Sequence, residues 1–171
     1  MKFADKYNLT VKENTFVAKK NFVALIHSNS KFEGISTTLP QTKTIVEGMG
    51  VSGVSIEAIC VIVNLKRGWE YVIDSTDKFD NNLVKRINGI VDRDDDIDSV
   101  AIRTGNIQIG GVDYEPKIPT EDELISDISI CINDESESKT QNIIELMYKM
   151  MQSNISGMVI RERLFYLQII I

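Results

Sequence analysis

The sequence predicts a mostly α-helical protein with one small β-hairpin. Apolar residues recur at spacings of three and four along most of the chain, and capping residues stand where several of these patterns begin. Only residues 101–119 combine β-branched alternation with paired glycines and prolines, which is typical of a hairpin. The chain has 171 residues, 43% of them hydrophobic, which is enough for one substantial core. We therefore expect a single domain.

The first half of the chain predicts four helices. Residues 11 to about 28 have an amphipathic pattern. A short helix should follow Pro40, whose fixed φ suits a first helical turn, and the glycine-containing residues 48–53 should end it. Ser55 is a good N-cap for the next stretch, SIEAICVIVNLKRGWEYVI. This stretch is apolar on nearly all faces at first, so we expect a buried central helix. Residues 77–91 predict another helix.

The second half begins with the predicted hairpin or flap. Thr120 followed by Glu123 predicts a capping box, which should open a helix that runs to about Ile132. Residues 138–153 then place apolar side chains on one face of a last helix.

Charge limits the classes of partner. The net charge of -6 and the acidic pI near 4.9 argue against nucleic acid and anionic membrane surfaces, both of which require clustered cations. The N-terminal residues contain no apolar leader, and no run approaches the roughly 18 apolar residues that span a bilayer. We expect a cytoplasmic protein.

The residues that could bind metal or act as nucleophiles are few. Cys60 and Cys131 lie in apolar stretches and are expected to be buried reduced thiols. His27 is the only histidine, so a multi-histidine metal site is excluded, and we expect it near a helix end. The acidic run at residues 92–98 lacks the glycine and glutamate of a calcium loop, and residues 105–111 lack the lysine of a P-loop. No metal site is therefore predicted.

One stretch, HSNSKFEGISTTLPQTKTIVEG, resembles the inhibitory helix of Fic-domain (Fido) proteins. The family pattern is Ser or Thr, three residues, Glu and then Gly or Asn, followed by Thr-Leu and a short helix. Glu33 and Gly34 match this pattern, Thr38 begins the matching Thr-Leu pair, and Asn29 stands at the hydroxyl position. From the residues alone, Glu33 and Gly34 are also compatible with an ordinary helix C-terminus.

The order of the other elements extends the resemblance over about residues 22–153. Fic domains resemble helical bundles with a target-binding flap, here expected at Ile107, Gln108 and Ile109, and a helix that leads into the catalytic loop. The resemblance implies transfer of AMP from ATP to hydroxyls of a target protein, with Mg²⁺. The target itself is not specified by the sequence.

The catalytic loop of the family, HxFxxGNxxR, is where the resemblance stops. The chain reads NISGMVIRERL from Asn154, which stands at the position of the family histidine. In the family this histidine takes the proton of the attacking hydroxyl, and the loop amides bind the ATP phosphates. The acidic residue of the loop holds Mg²⁺, and its arginine pairs with phosphate and with the inhibitory glutamate. No catalytic residue and no cofactor are therefore expected in the chain as written.

A lost nucleotide accounts for the divergent end. With permitted codons, one t added after the Ile155 codon changes the reading from Asn154 to NIFWDGNKRTSFLFA, which contains FWDGNKRT, a loop common in the family. Few codons are compatible with both reading frames. The last base of the single Met158 codon and the first two bases of the Val159 codon together encode the glycine that the motif requires. We therefore expect residues 1–155 to be a partial Fic-like domain, with an incomplete C-terminal part, and residues 156–171 to be an out-of-frame tail.

Three other interpretations remain open at this point. Residues 156–171 are also compatible with a genuine divergent C-terminal helix. The chain as a whole is also compatible with a non-catalytic binding module, which would use the flap edge or the N-terminal helix, and with a decayed gene fragment.

Overall fold

The structure is a computed structural model that describes residues 2–91 and 120–153, together with Asn106, Glu115, Lys117 and Ile118. These residues form seven α-helices and contain no strand. The helices are α1 (Val11–Lys20), α2 (Phe22–Phe32), α3 (Leu39–Val46), α4 (Ile56–Asp74), α5 (Asn81–Val91), α6 (Glu121–Asn133) and α7 (Lys139–Ser153). The predicted mostly helical class is confirmed, whereas the predicted flap at residues 107–109 lies outside the described residues.

Short polar motifs begin most of these helices. The predicted capping box of Thr120 and Glu123 and the predicted cap at Ser55, whose hydroxyl accepts from the Ala58 N–H at 3.2 Å, are both confirmed. Two further capping boxes begin α1 and α3, where the sequence pattern is Thr-x-x-Glu or Thr-x-x-Gln.

The predicted helix of residues 11–28 is two helices in the structure. The chain departs from helical geometry at Asn21, where ψ is 10°, and α2 then continues to Phe32. The Asn21 side chain donates to the Val17 carbonyl at 2.8 Å. Asparagine side chains compete in this way for backbone groups, which explains the interruption.

Helix α4 lies at the centre of the fold and packs against α1, α2, α3 and α5. Its later turns are buried, including Leu65 and Trp69, which are fully inaccessible. The prediction of burial was wrong for its beginning, because Ile56 is 77% exposed and fully buried residues start only at Ile62. An apolar helical surface is buried only where a neighbouring helix covers it.

The cysteine prediction holds for one residue. Cys131 is buried in α6, and its burial raises the pKa of the thiol to about 11, which makes it an unreactive core residue. Cys60 is exposed, so the expectation of a buried thiol there was wrong. It lies on the part of α4 that precedes the buried turns.

Helices α5, α6 and α7 complete the bundle. Helix α6 packs against both α5 and α7, and its buried residues Leu124, Ile128 and Cys131 are spaced by four and three, as on one face of a helix. Helix α5 begins at Asn81 and not at residue 77, because the Asp80 carboxylate accepts from the Leu83 N–H at 2.9 Å and caps it there.

A segment near the N-terminus, residues 2–5, lies against the beginning of α7, and we call it the N-terminal strap. The Asp5 carboxylate accepts from the Thr140 N–H at 2.8 Å, the Thr140 hydroxyl at 2.7 Å and the Lys139 N–H at 3.2 Å. The Phe3 N–H donates to Gln141 Oε1 at 3.0 Å. The strap therefore supplies part of the N-terminal cap of α7.

Within the described ranges, none of the helices is long and apolar enough to cross a membrane.

Candidate functional site

The stretch that resembles the inhibitory helix forms α2, a tight turn and α3, which we call the α2–α3 unit. Helix α2 ends at Phe32, Glu33 is its C-cap residue, and Gly34 follows with a φ of 73°. The Gly34 N–H donates to the Lys31 carbonyl at 3.1 Å, and the Ile35 N–H donates to the Ser30 carbonyl at 2.9 Å. These are the two hydrogen bonds of a Schellman motif, which fixes the position of Glu33 at the helix end.

Glu33 and Asn29 occupy one face of α2. They are four residues apart, so their Cβ atoms are neighbours at about 6 Å on an α-helix. Asn29 is 1% exposed, whereas Glu33 is half-buried. The asparagine at the family's hydroxyl position is therefore part of the protein interior, and the carboxylate one turn later lies where the interior meets the surface.

Thr38 begins α3 directly after the turn. Its hydroxyl accepts from the Gln41 N–H, and the Gln41 side chain accepts from the Thr38 N–H at 2.9 Å. Leu39 and Pro40 then form the first turn, as the proline predicted. The matched Thr-Leu pair of the resemblance thus has a structural role, since its threonine fixes the start of α3.

A buried hydroxyl joins α2 to α3 at this unit. The Thr42 side chain is completely buried and lies 3.0 Å from His27 Nδ1, 3.0 Å from the Thr37 hydroxyl and 3.1 Å from the Thr38 carbonyl. A hydroxyl donates once and accepts twice. All three contacts are satisfied when Thr42 donates to the Thr38 carbonyl and accepts from Thr37 and from a protonated His27 Nδ1.

His27 is therefore a structural residue of the α2–α3 unit. Sequence analysis expected it near a helix end, which was wrong, because α2 continues to Phe32 and His27 lies in its middle. Burial lowers the pKa of the imidazole, and the positive charge of Lys31 lowers it further. The ring is neutral at pH 7 and fits the tautomer that donates from Nδ1.

The unit is also tied to the central helix. The Lys66 ammonium of α4 donates to the Val46 carbonyl, in the last turn of α3, at 3.0 Å. Lysines commonly satisfy such terminal carbonyls. Sequence reasoning missed this bond and the contact between Thr42 and His27, because both join residues that are 15 or more positions apart.

The remaining predicted site residues lie outside the described residues. These are Ile107, Gln108 and Ile109 of the expected flap and Asn154 at the expected histidine position. Among the described residues, no three or more His, Cys, Asp or Glu side chains come together as a metal site.

Comparison with solved structures supports the fold that the motif order predicted. A crystal structure of a Fic family protein from Desulfovibrio desulfuricans G20 matches 98% of this chain with a TM-score of 0.71 and 14% sequence identity. The present chain spans 59% of the length of that chain. Neither a protein-family model nor a curated protein matches the sequence. The chain therefore has the helical fold of a Fic family protein, and at this identity the similarity concerns the fold.

Proposed function

We propose that this chain derives from a Fic-type protein adenylyltransferase and is inactive as written, because its catalytic loop is read out of frame. The observation that carries the proposal is the α2–α3 unit on a Fic fold, with Glu33 held at the C-cap of α2 by the Gly34 turn. A cytoplasmic location fits this proposal, since ATP and Mg²⁺ are available there.

Glu33 is the proposed inhibitory residue. A carboxylate fixed at a helix end, half inside the protein, can pair with the guanidinium of an arginine that otherwise binds phosphate. In the proposed restored frame that arginine belongs to the loop FWDGNKRT. The arginines written as Arg161 and Arg163 would be the same nucleotides read in another frame.

The proposed chemistry requires a general base that this chain does not supply at Asn154. An amide nitrogen is not basic, so asparagine cannot accept the proton of an attacking hydroxyl. In the part of the chain that the structure describes, no three or more His, Cys, Asp or Glu side chains come together, so none of them is assigned to Mg²⁺. In the restored frame the aspartate of FWDGNKRT would hold Mg²⁺, and the Gly-Asn amides would face the ATP phosphates.

The frame is tested by resequencing the gene across the codons for residues 152–171 and beyond them. A further t in the run after the Ile155 codon, with an open frame that continues through GNKR, is the expected result. A confirmed sequence without that base shows that the tail is encoded as written and leaves a catalytically dead remnant or a binding module as the alternatives.

The activity is tested by calorimetry and by transfer of labelled AMP. Three proteins are compared: the chain as written, the restored frame, and the restored frame with Asn154→His. We expect no magnesium-dependent ATP binding by the chain as written, binding at about micromolar Kd by the restored frame, and AMP transfer only once Asn154→His is added to that frame. Micromolar, magnesium-dependent binding by the chain as written would contradict the proposal.

The regulatory role of Glu33 is tested in the restored Asn154→His protein. Glu33→Gln removes the negative charge and should increase AMP transfer at least about tenfold, as expected for the loss of a charged contact. Glu47→Gln is a matched control, because Glu47 is the C-cap residue of α3. Equal effects of the two substitutions would exclude a specific inhibitory role.

A further inference from the structure

A groove lies where the α1–α2 junction faces α3, and we call it the lysine groove. Its volume is about 690 Å³, and its walls include Phe22, Val23 and Leu39. Leu39 is 45% exposed, and Phe22 and Val23 are half-buried, so apolar surface remains accessible there. The groove is open, and its volume lies in the range of clefts that bind ligands.

Three lysines surround this apolar surface. Lys19, Lys20 and Lys43 line the groove, whereas none of the described residues that line it is acidic. Two of the lysines form exposed ion pairs beside the groove, Lys19 with Asp74 at 3.0 Å and Lys43 with Glu47 at 3.8 Å. Exposed pairs of this kind are weak and exchange readily with a competing carboxylate. The residues that line the groove are therefore cationic, in a chain of net charge -6.

We propose that the lysine groove binds an acidic segment of a partner protein, with an apolar side chain against Phe22, Val23 and Leu39 and flanking carboxylates on the lysines. The apolar walls would supply affinity, and the lysine rim would supply selectivity and a faster association rate. This inference does not depend on the proposed enzyme function.

Charge distribution disfavours two other occupants. Three lysines on a concave surface give only a small attraction to an anionic bilayer, which the net charge of -6 opposes. A second copy of the chain carries the same net charge of -6, so two copies repel each other overall.

The test uses the full chain and a fluorescein-labelled synthetic peptide of alternating Glu, Leu and Asp, read by fluorescence anisotropy. We expect saturable binding that weakens as NaCl is raised from about 50 to about 500 mM, because salt screens exposed charges. A peptide with Gln and Asn in place of the acidic residues should bind at least about tenfold more weakly.

A charge-reversal pair locates the site. Lys20→Glu with Lys43→Glu should weaken binding of the acidic peptide at least about tenfold. Lys12→Glu with Lys78→Glu makes the same change in net charge at exposed positions outside the groove and should leave the Kd within about twofold. Circular dichroism on both variants separates a loss of binding from a loss of fold.

Three outcomes would overturn the proposal. One is equal binding of the acidic peptide by both double variants, and another is equal binding of the acidic and the amide peptides. The third is an absence of saturable peptide binding. Binding to phosphatidylserine vesicles that depends on Lys20 and Lys43, or reversible self-association, would then assign the groove to one of the other occupants.

Discussion

Gly34 has a left-handed backbone conformation that the turn between α2 and α3 requires. Its φ is 73°, and a Cβ built there would meet no atom within 4 Å, so the requirement for glycine is conformational and not steric. Gly34→Ala should lower the free energy of unfolding by about 1 kcal/mol and the Tm by about 2–4 °C in calorimetry. Gly50→Ala is the control, because Gly50 has open space and no positive φ, and it should cause no comparable loss.

Thr42 is the residue whose hydroxyl should matter most to the α2–α3 unit. Thr42→Val keeps the side-chain volume but leaves the Thr37 hydroxyl and His27 Nδ1 without this partner, and we expect a loss of about 2 kcal/mol in urea unfolding. Thr44→Val removes a hydroxyl that donates to the Pro40 carbonyl in an exposed contact, and it should cost less than about 0.5 kcal/mol. Similar losses for the two variants would contradict the assignment.

Sequence could reveal the local part of this site but not the rest. The Glu33–Gly34 turn and the Thr38 cap depend on neighbours within four residues, and such signals are visible in the sequence. Thr42 and His27 are 15 residues apart and on different helices, so their contact depends on how α2 packs against α3.

At the scale of elements, the negative charge of Asp5 links the N-terminal strap to the beginning of α7. Hydrogen bonds from the backbone and side chain of Thr140 lower the pKa of the Asp5 carboxyl below its ordinary value of 3.8. A carboxyl whose pKa is lower in the folded state stabilises the fold above its unfolded pKa. That contribution is lost as the pH falls through the unfolded and then the folded value.

Asp5→Asn tests this coupling. It should lower the urea midpoint at pH 7, and the difference from the unsubstituted protein should shrink as the pH is lowered towards about 3. Glu135→Gln, at an exposed position of the α6–α7 loop, should give little change at either pH. A difference for Asp5→Asn that stays constant with pH would show that its charge is not responsible.

Helix boundaries were the least predictable feature at this scale. Helices α6 and α7 start within one residue of their predicted starts because short polar motifs begin them. The α1–α2 interruption was missed because Asn21 lies inside an otherwise continuous amphipathic pattern, and the buried part of α4 could not be located without its neighbours.

At the scale of the whole molecule, Trp69 reports on the common core. It is the only tryptophan, it is fully buried, and it lies on the helix against which four others pack. Thermal unfolding followed by its fluorescence and by circular dichroism should give one coincident transition of a monomer. Aggregation on purification, or two separate transitions, would favour a decayed gene fragment over a stable module.

The Fic fold could be predicted from the sequence because each motif depends on neighbouring residues and the order of the motifs along the chain is distinctive. The flap residues and Asn154 lie outside the described residues, so the parts of the proposal that concern target docking and the general base stay predictions. Only the loop that follows Ile155 depends on the reading frame, which the packing of the helices does not reveal.

The N-terminal strap also sets an order of events during synthesis. Asp5 leaves the ribosome long before its partners, since 134 and 135 residues separate it from Lys139 and Thr140. Helices α1 to α6 can assemble while the strap is still unpaired, because they precede α7 in the chain. The cap on α7 can close only once Lys139 and Thr140 have been made, so the strap remains unpaired while helices α1 to α6 form.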